Sequence, residues 1–216
     1  MTSSHHPPED LLAEFATGAL EEAEHLVVGI HVTGCAQCSR FVKAMEQLAG
    51  AAIEDAEPAP ISVGAFGLVM ARIDEHHSPK APRSIPASSA PEDLDLPELL
   101  RRCRFGKRRW VAPGVSLQPI ELPRSGKARA FLLQSAPGTR MLEHSHTGTE
   151  LTCVLKGSFS HQGGRYGPGD FDYGDDDVDH RPIVGDEGPC LCVVAMTGDL
   201  RMNGFFGRLI SPFVRL

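Results

Sequence analysis

The first third of the chain contains HVTGCAQC at residues 31–38, the stretch that decides how this part folds. His31, Cys35 and Cys38 stand at positions i, i+4 and i+7, which share one face of an α-helix. Imidazole and thiolate are ligands that tetrahedral zinc prefers, and such a site needs a fourth ligand. His5 or His6, just before the first predicted helix, can supply it. The stretch therefore predicts a zinc site within a small helical unit.

Apolar residues recur at helical spacing through residues 8–76. This pattern predicts four helices, over residues 8–19, 21–30, 35–52 and 64–75, with a break at Gly34. A helical unit below about 80 residues often needs an added constraint, and a structural zinc contributes on the order of 10 kcal/mol to folding. Two other interpretations of the Cys-x2-Cys pair stay open. A thioredoxin-like redox pair expects a βαβ context that this segment lacks, and inert core cysteines are the plainer alternative.

The composition changes after the fourth predicted helix. Five prolines fall within residues 77–97, and their density disfavours both helix and sheet, so we predict a linker there. Short β segments with turn residues between them follow from residue 98 to residue 216, a pattern typical of a β-sandwich or jelly roll. The predicted fold is a two-domain α plus β arrangement: a zinc-binding helical bundle (1–76), a linker (77–97) and a β domain (98–216).

The β domain contains a second metal-type motif, HSHTGTE at residues 144–150. His144 and His146 have strand parity, so both imidazoles can point to one side, and Glu150 returns after a short turn. Two imidazoles and one carboxylate form a facial ligand set that leaves metal positions open. This spacing resembles the first motif of the cupin family. The resemblance implies a cupin β-barrel with an internal metal, and His180, which follows the turn at residues 166–170, as the fourth ligand.

Charge and cysteine content limit the function classes. Residues 1–80 contain 12 acidic and 4 basic residues, whereas residues 81–216 contain 16 acidic and 17 basic residues. The acidic first part argues against direct contact with nucleic acid and suits a basic protein partner. We see no membrane span and no secretion signal, so we expect a cytoplasmic protein whose six cysteines are thiols or ligands. Cys190 and Cys192 could report oxidation or could simply be small buried residues.

An early histidine followed by HVTGCAQC in a short acidic helical segment resembles the zinc-binding anti-sigma family. Together with the linker and the cupin motif, the resemblance extends over nearly the whole chain to the ChrR family of anti-sigma factors. It implies a protein that sequesters a group IV (ECF) sigma factor and releases it under oxidant stress of the singlet-oxygen type.

The same resemblance implies two ligand sets. The structural zinc would be held by His6, His31, Cys35 and Cys38. The cupin site would hold zinc or another divalent metal, with His144, His146, Glu150 and His180 as its ligands. On this interpretation the chain is a regulator and not an enzyme. The alternatives are a metal-dependent cupin enzyme of the dioxygenase or isomerase type, and a peptide-binding scaffold with two structural metals.

Overall fold

The structure, a computed structural model, describes residues 3–75, 94–123, 126–141, 144–174, 181–198 and 200–202. For residues 144–146 and 200–202 it describes the backbone alone.

Helices occupy the N-terminal part, as the apolar spacing predicts. The first four are α1 (Glu9–Thr17), α2 (Glu22–Gly34), α3 (Ala36–Glu54) and α4 (Ala65–Glu75). Gly18 ends α1 in the left-handed conformation, with φ of 71°, and its N–H donates to the last turn of that helix. A short fifth helix, α5 (Glu98–Arg101), precedes the strands. All four predicted helices are present within a few residues of their expected bounds.

The metal-type stretch does not lie on one continuous helix. Cys35 has extended backbone angles, φ −111° and ψ 109°, and separates α2 from α3. The break is therefore at Cys35, one residue later than Gly34. His31 lies in the last turn of α2 and Cys38 in the first turn of α3, so a helix–helix corner brings the two together.

In the part of the chain that the structure describes, twelve strands follow the helices and pair antiparallel. Their bounds are β1 (Arg104–Phe105), β2 (Arg109–Ala112), β3 (Val115–Glu121), β4 (Arg129–Ser135), β5 (His144–His146), β6 (Glu150–Lys156), β7 (Phe159–His161), β8 (Gly164–Tyr166), β9 (Phe171–Gly174), β10 (Ile183–Val184), β11 (Cys190–Met196) and β12 (Leu200–Met202).

The strands form one large sheet and two small ones. The large sheet has seven strands in the order β1-β3-β4-β11-β6-β9, with β2 also paired to β3. The small sheets are β10-β7-β8 and β12-β5. Within the described residues the large sheet is open, so the closed barrel expected from the cupin resemblance is not what the strand pairing shows. An open, two-faced sheet still buries its apolar residues because other elements cover both faces.

The molecule is layered around β11, which is buried along its whole length. Leu191, Val193 and Ala195 face the cluster shared with the helices, whereas the alternate residues, Cys192 and Val194 among them, face the small three-stranded sheet. Helix α2 lies directly on β4, β6 and β11, with Val27 and Val28 fully buried. Because one apolar core extends through helices and sheet, the structure does not confirm two separate domains.

The end of the predicted linker also belongs to this core. Leu96 and Leu100 are buried, and Leu94 is partly buried against the same cluster. The boundaries at residues 76 and 98 stay a prediction, and most of residues 77–97 lie outside the described part of the chain. None of the helices in the described residues combines the length and apolarity that crossing a bilayer requires.

Candidate metal centre

Four side chains from three separate segments meet beneath the corner between α2 and α3. His31 comes from α2, Cys35 from the junction, Cys38 from α3, and His6 from the extended segment before α1. One ligand atom of each lies within 4.8 Å of the others. His31, Cys35 and Cys38 are buried and His6 is half-buried. The corner between the helices therefore forms a compact pocket of two nitrogens and two sulfurs.

The distances in this cluster match the edges of a tetrahedron. His6 Nδ1 lies 3.4 Å from His31 Nε2, 3.4 Å from Cys35 Sγ and 3.5 Å from Cys38 Sγ. His31 Nε2 lies 3.3 Å from Cys38 Sγ. Zinc bonds of about 2.0–2.3 Å would separate tetrahedral ligands by about 3.3–3.8 Å. The cluster could therefore bind a metal ion, and its donor set and spacing are consistent with zinc.

The second nitrogen of His31 is held by the sheet. Its Nδ1 donates to the carbonyl oxygen of Gly169 at 2.8 Å, in the turn between β8 and β9. This bond leaves the lone pair of Nε2 facing the cluster, as a metal ligand requires. Burial lowers the pKa of His31, which favours the neutral imidazole that binds metal.

The thiol of Cys38 is in an environment that disfavours its free thiolate. Burial and, to a smaller extent, the neighbouring Cys35 thiol together raise the pKa of Cys38 to about 12. A bound cation reverses this balance because it stabilises the thiolate directly and releases the thiol proton. In this fold the pair is suited to metal binding and poorly suited to act as an exposed nucleophile.

The structure distinguishes the two candidate histidines of the N-terminal segment. His6 joins the cluster, whereas His5 turns away from it. The His5 ring packs at a tilt against Tyr166 with centroids 4.3 Å apart, and its Nδ1 lies 3.6 Å from the Asp170 carboxylate. His5 therefore contacts the sheet and not the candidate metal centre.

The second predicted ligand set is only partly described. His144 and His146 lie on β5, paired with β12, but their side chains lie outside the described part of the structure, and so does all of His180. Glu150 begins β6, is half-buried, and accepts a hydrogen bond from Thr152 Oγ1 at 3.1 Å. It lines a partly open space of about 60 Å³ between the large sheet and the three-stranded sheet. The cupin-type site stays a prediction.

Cys190 and Cys192 line the same space as Glu150. Both are buried, and their sulfurs are 3.7 Å apart as free thiols. The hydrogen bond with Cys190 and burial raise the pKa of Cys192 well above its ordinary value. A thiol held in its protonated form is a weak nucleophile, so the pair packs as small apolar residues in this conformation.

A different kind of surface lies on α4, which has no buried residue. Five large apolar side chains on this helix are between 41% and 78% exposed: Phe66, Leu68, Val69, Met70 and Ile73. Leu48 and Ile53, in the second half of α3, are 66% and 75% exposed. Residues 46–75 also contain six acidic residues and one basic residue. We call the apolar residues of α4 and this half of α3 the exposed helical face.

Such a face points to a protein partner. An isolated 11-residue helix is marginal in water, and packing of its apolar side is what normally stabilises it. Several large exposed apolar side chains grouped on one short helix are typical of an interaction site. The sequence predicted the helix and its apolar stripe, but it did not predict that the described residues would leave this stripe exposed.

Comparison with known proteins defines the class. The family model described as ChrR cupin-like domain matches residues 101–198, so the sheet is a cupin-like domain. The chain is 34% identical over 218 residues to the anti-sigma-E factor ChrR of Cereibacter sphaeroides, and the match covers 100% of both chains.

The architecture agrees with this match. A chain in the crystal structure of Rhodobacter sphaeroides SigE in complex with the anti-sigma ChrR superposes with a TM-score of 0.73 at 30% identity, over 91% of this chain and 99% of that one. The protein belongs to the ChrR family of anti-sigma factors. That family consists of regulators, which removes the cupin-enzyme alternative.

Proposed function

We propose that this chain is an anti-sigma factor that sequesters an ECF-type (group IV) sigma factor through the exposed helical face. The observation that supports it most directly is α4, an apolar helix with no buried residue. The relative that matches over the full length is named an anti-sigma-E factor, and the similar solved structure is a complex of SigE with the anti-sigma ChrR. The acidic residues around the face suit a partner with basic surfaces, such as a DNA-binding protein.

The metal centre has a structural part in this proposal. We infer that His6, His31, Cys35 and Cys38 hold one zinc ion, which cross-links the N-terminal segment to the α2–α3 corner. The bound ion supplies no reaction; it supplies bonds that keep α3, which carries Leu48 and Ile53 of the exposed helical face, in place.

Three further parts of the proposal rest on the family resemblance and on the motif at residues 144–150. The cupin-like domain holds zinc or another divalent metal through His144, His146, Glu150 and His180. It serves as the sensing unit that releases the sigma factor under singlet-oxygen-type stress. The protein acts in the cytoplasm, where its sigma partner meets RNA polymerase.

The sigma-binding proposal is tested with full-length protein and the group IV sigma factors of the same organism. We expect the wild-type chain to form a one-to-one complex with one of them and to block transcription from its promoter by core polymerase. Phe66→Asp places a charge on the exposed helical face without removing a core contact, so it should weaken the complex at least about 30-fold.

Ile183→Asp is the matched control, because Ile183 is 40% exposed but lies on β10 of the small sheet. It should bind and inhibit like the wild type. Normal inhibition by Phe66→Asp, with a helical spectrum equal to that of the wild type, would contradict sigma binding through α4.

A further inference from the structure

The turn between β8 and β9 contacts the segment that carries His6. Asp170, which is 6% exposed, accepts hydrogen bonds from the backbone N–H of Ser4 at 2.6 Å and of His5 at 3.1 Å. The Ser4 hydroxyl lies 3.2 and 3.3 Å from its two carboxylate oxygens. The N–H of Gly167 donates to the same carboxylate at 2.9 Å and closes the turn on itself.

Backbone bonds continue this contact along the segment. Phe171 donates its N–H to the carbonyl oxygen of His5 at 3.1 Å, and the Ser3 hydroxyl donates to the carbonyl oxygen of Gly169 at 3.0 Å. His6 follows directly, and buried Pro7 comes next before α1 begins. The backbone on both sides of His6 is therefore held, and the ring has little freedom to leave the metal cluster.

The same turn holds a second ligand. The carbonyl oxygen of Gly169 accepts from His31 Nδ1 at 2.8 Å, as described above. Pro168 and Gly169 are the central residues of a type II turn, since Asp170 N donates to Gly167 O at 2.9 Å and Gly169 has φ of 90°. A Cβ at Gly169 would lie 3.0 Å from Ser3 Oγ. Glycine is required here both for the turn and for the approach of the N-terminal segment.

The contacts around Asp170 stabilise the ionised form of its carboxylate. Burial raises the pKa of Asp170, but the hydrogen bonds from Gly167, Ser4 and His5 outweigh burial and lower it overall. His5 Nδ1, at 3.6 Å, faces the same carboxylate. The ionised carboxylate thus satisfies several backbone donors that would otherwise be partly buried without a partner.

We propose that the turn at residues 167–170 is a clasp that positions two of the four metal ligands, with Asp170 as its positioning residue. Metal binding and docking of the N-terminal segment on the cupin-like sheet are then one linked equilibrium. A change that opens the clasp weakens metal binding, and loss of the metal loosens the clasp by the same factor. The inference rests on the zinc assignment proposed above.

The test measures zinc affinity of full-length variants by competition with a chromophoric chelator. Asp170→Asn should bind zinc about 10–100-fold more weakly than the wild type, the usual effect of losing a partner that orients metal ligands. Glu187→Gln is the control. It alters a carboxylate that also bonds within the β region, to Ser158 and Arg165, and not within the clasp. Its zinc affinity should equal that of the wild type.

A third variant separates the two proposals. Cys38→Ala removes a ligand and should abolish binding at this site, which identifies the fraction of bound zinc that belongs to it. Retention of that fraction by Cys38→Ala would overturn the zinc assignment itself. Loss of it, together with wild-type affinity in Asp170→Asn, would overturn the clasp alone.

Ser4→Ala tests the clasp even if Asp170→Asn does not fold, because it removes one exposed hydroxyl and leaves the backbone donors in place. We expect roughly two- to tenfold weaker zinc binding. Hydrogen exchange supplies the reciprocal measurement: the amides of Ser4, His5 and Phe171 should exchange faster once chelation removes the zinc. Unchanged affinity in Ser4→Ala and equal exchange with and without zinc would overturn the proposal.

Discussion

The two ring nitrogens of His31 face different parts of the molecule. Nδ1 donates to Gly169 in the cupin-like sheet, and Nε2 faces the sulfur of Cys38 at 3.3 Å in the helical layer. One hydrogen bond therefore sets the tautomer that the metal centre needs. At the scale of single residues, the candidate metal centre depends on the sheet as much as on its own four side chains.

Replacing Cys38 by alanine should remove the zinc ion and lower the stability of the protein. The full-length variant should lose one equivalent of zinc after dialysis, measured by atomic emission. Its thermal midpoint should fall by at least about 10 °C, because a structural zinc contributes on the order of 10 kcal/mol and each kcal/mol shifts the midpoint by about 2–4 °C in a chain of this size.

Cys103→Ala is the matched control for this measurement. Cys103 is a half-buried free cysteine outside the cluster, so its variant should keep the same zinc content as the wild type. Equal zinc content in the Cys38 and Cys103 variants would contradict the assignment.

At the scale of elements, helix α2 is anchored to the sheet at both ends. Glu21 caps its N-terminus in a capping box with Glu24, and the Glu21 carboxylate also accepts the N–H of Ala128 at 2.7 Å. His31 anchors the other end through Gly169. Helix α4 is the opposite case, with no buried residue. This difference indicates that α2 contributes to the stability of the fold, whereas α4 is available to contact the partner proposed above.

The capping arrangement predicts a measurable loss of stability. Glu21→Ala removes both the cap of α2 and the partner of the Ala128 N–H just before β4, so the free energy of unfolding should fall by about 1–3 kcal/mol. Urea unfolding followed by circular dichroism measures it. Glu46→Ala, an exposed glutamate in the middle of α3, should change stability by no more than about 0.5 kcal/mol. Equal stability of the two variants would show that the cap contributes nothing.

At the scale of the whole molecule, β9 lies between the candidate metal centre and the interior of the cupin-like domain. The clasp immediately precedes this strand, and Asp172 within it lines the space that contains Glu150 and Cys192. Asp172 also accepts from His161 at 2.9 Å. β9 therefore joins the space lined by Glu150 and Cys192, in the proposed sensing region, to the clasp that holds the N-terminal segment.

The proposed sensing role predicts that inhibition and release separate. His144→Ala should leave sigma inhibition intact, because it changes a side chain of the cupin-like domain and none of the exposed helical face, and it should abolish release. A reporter driven by the sigma-dependent promoter measures both, in the dark and under light with a singlet-oxygen photosensitiser. His25→Ala, an exposed histidine of α2, should behave as the wild type. A normal response in His144→Ala would remove the cupin site from the mechanism.

Several features followed from the sequence alone. Apolar spacing predicted α1 to α4 within a few residues, and short β segments separated by turn residues predicted that strands fill the second half of the chain, because helical and extended backbones repeat with different periods. The spacing of HVTGCAQC selected His31, Cys35 and Cys38 for one cluster, although the structure brings them together by a corner at Cys35 and not by one helix. Local pattern is sufficient where the interacting residues are near one another in the chain.

Only the tertiary structure decided what depends on distant residues. It chose His6 over His5, placed Gly169 and Asp170 against the metal ligands, merged helices and sheet into one core, and left α4 uncovered. The turn residues Pro168 and Gly169 signal a turn but carry no information about a partner 138 positions earlier in the chain. Packing is a property of surfaces that meet in space, so a periodic pattern can state that a face is apolar but not which surface covers it.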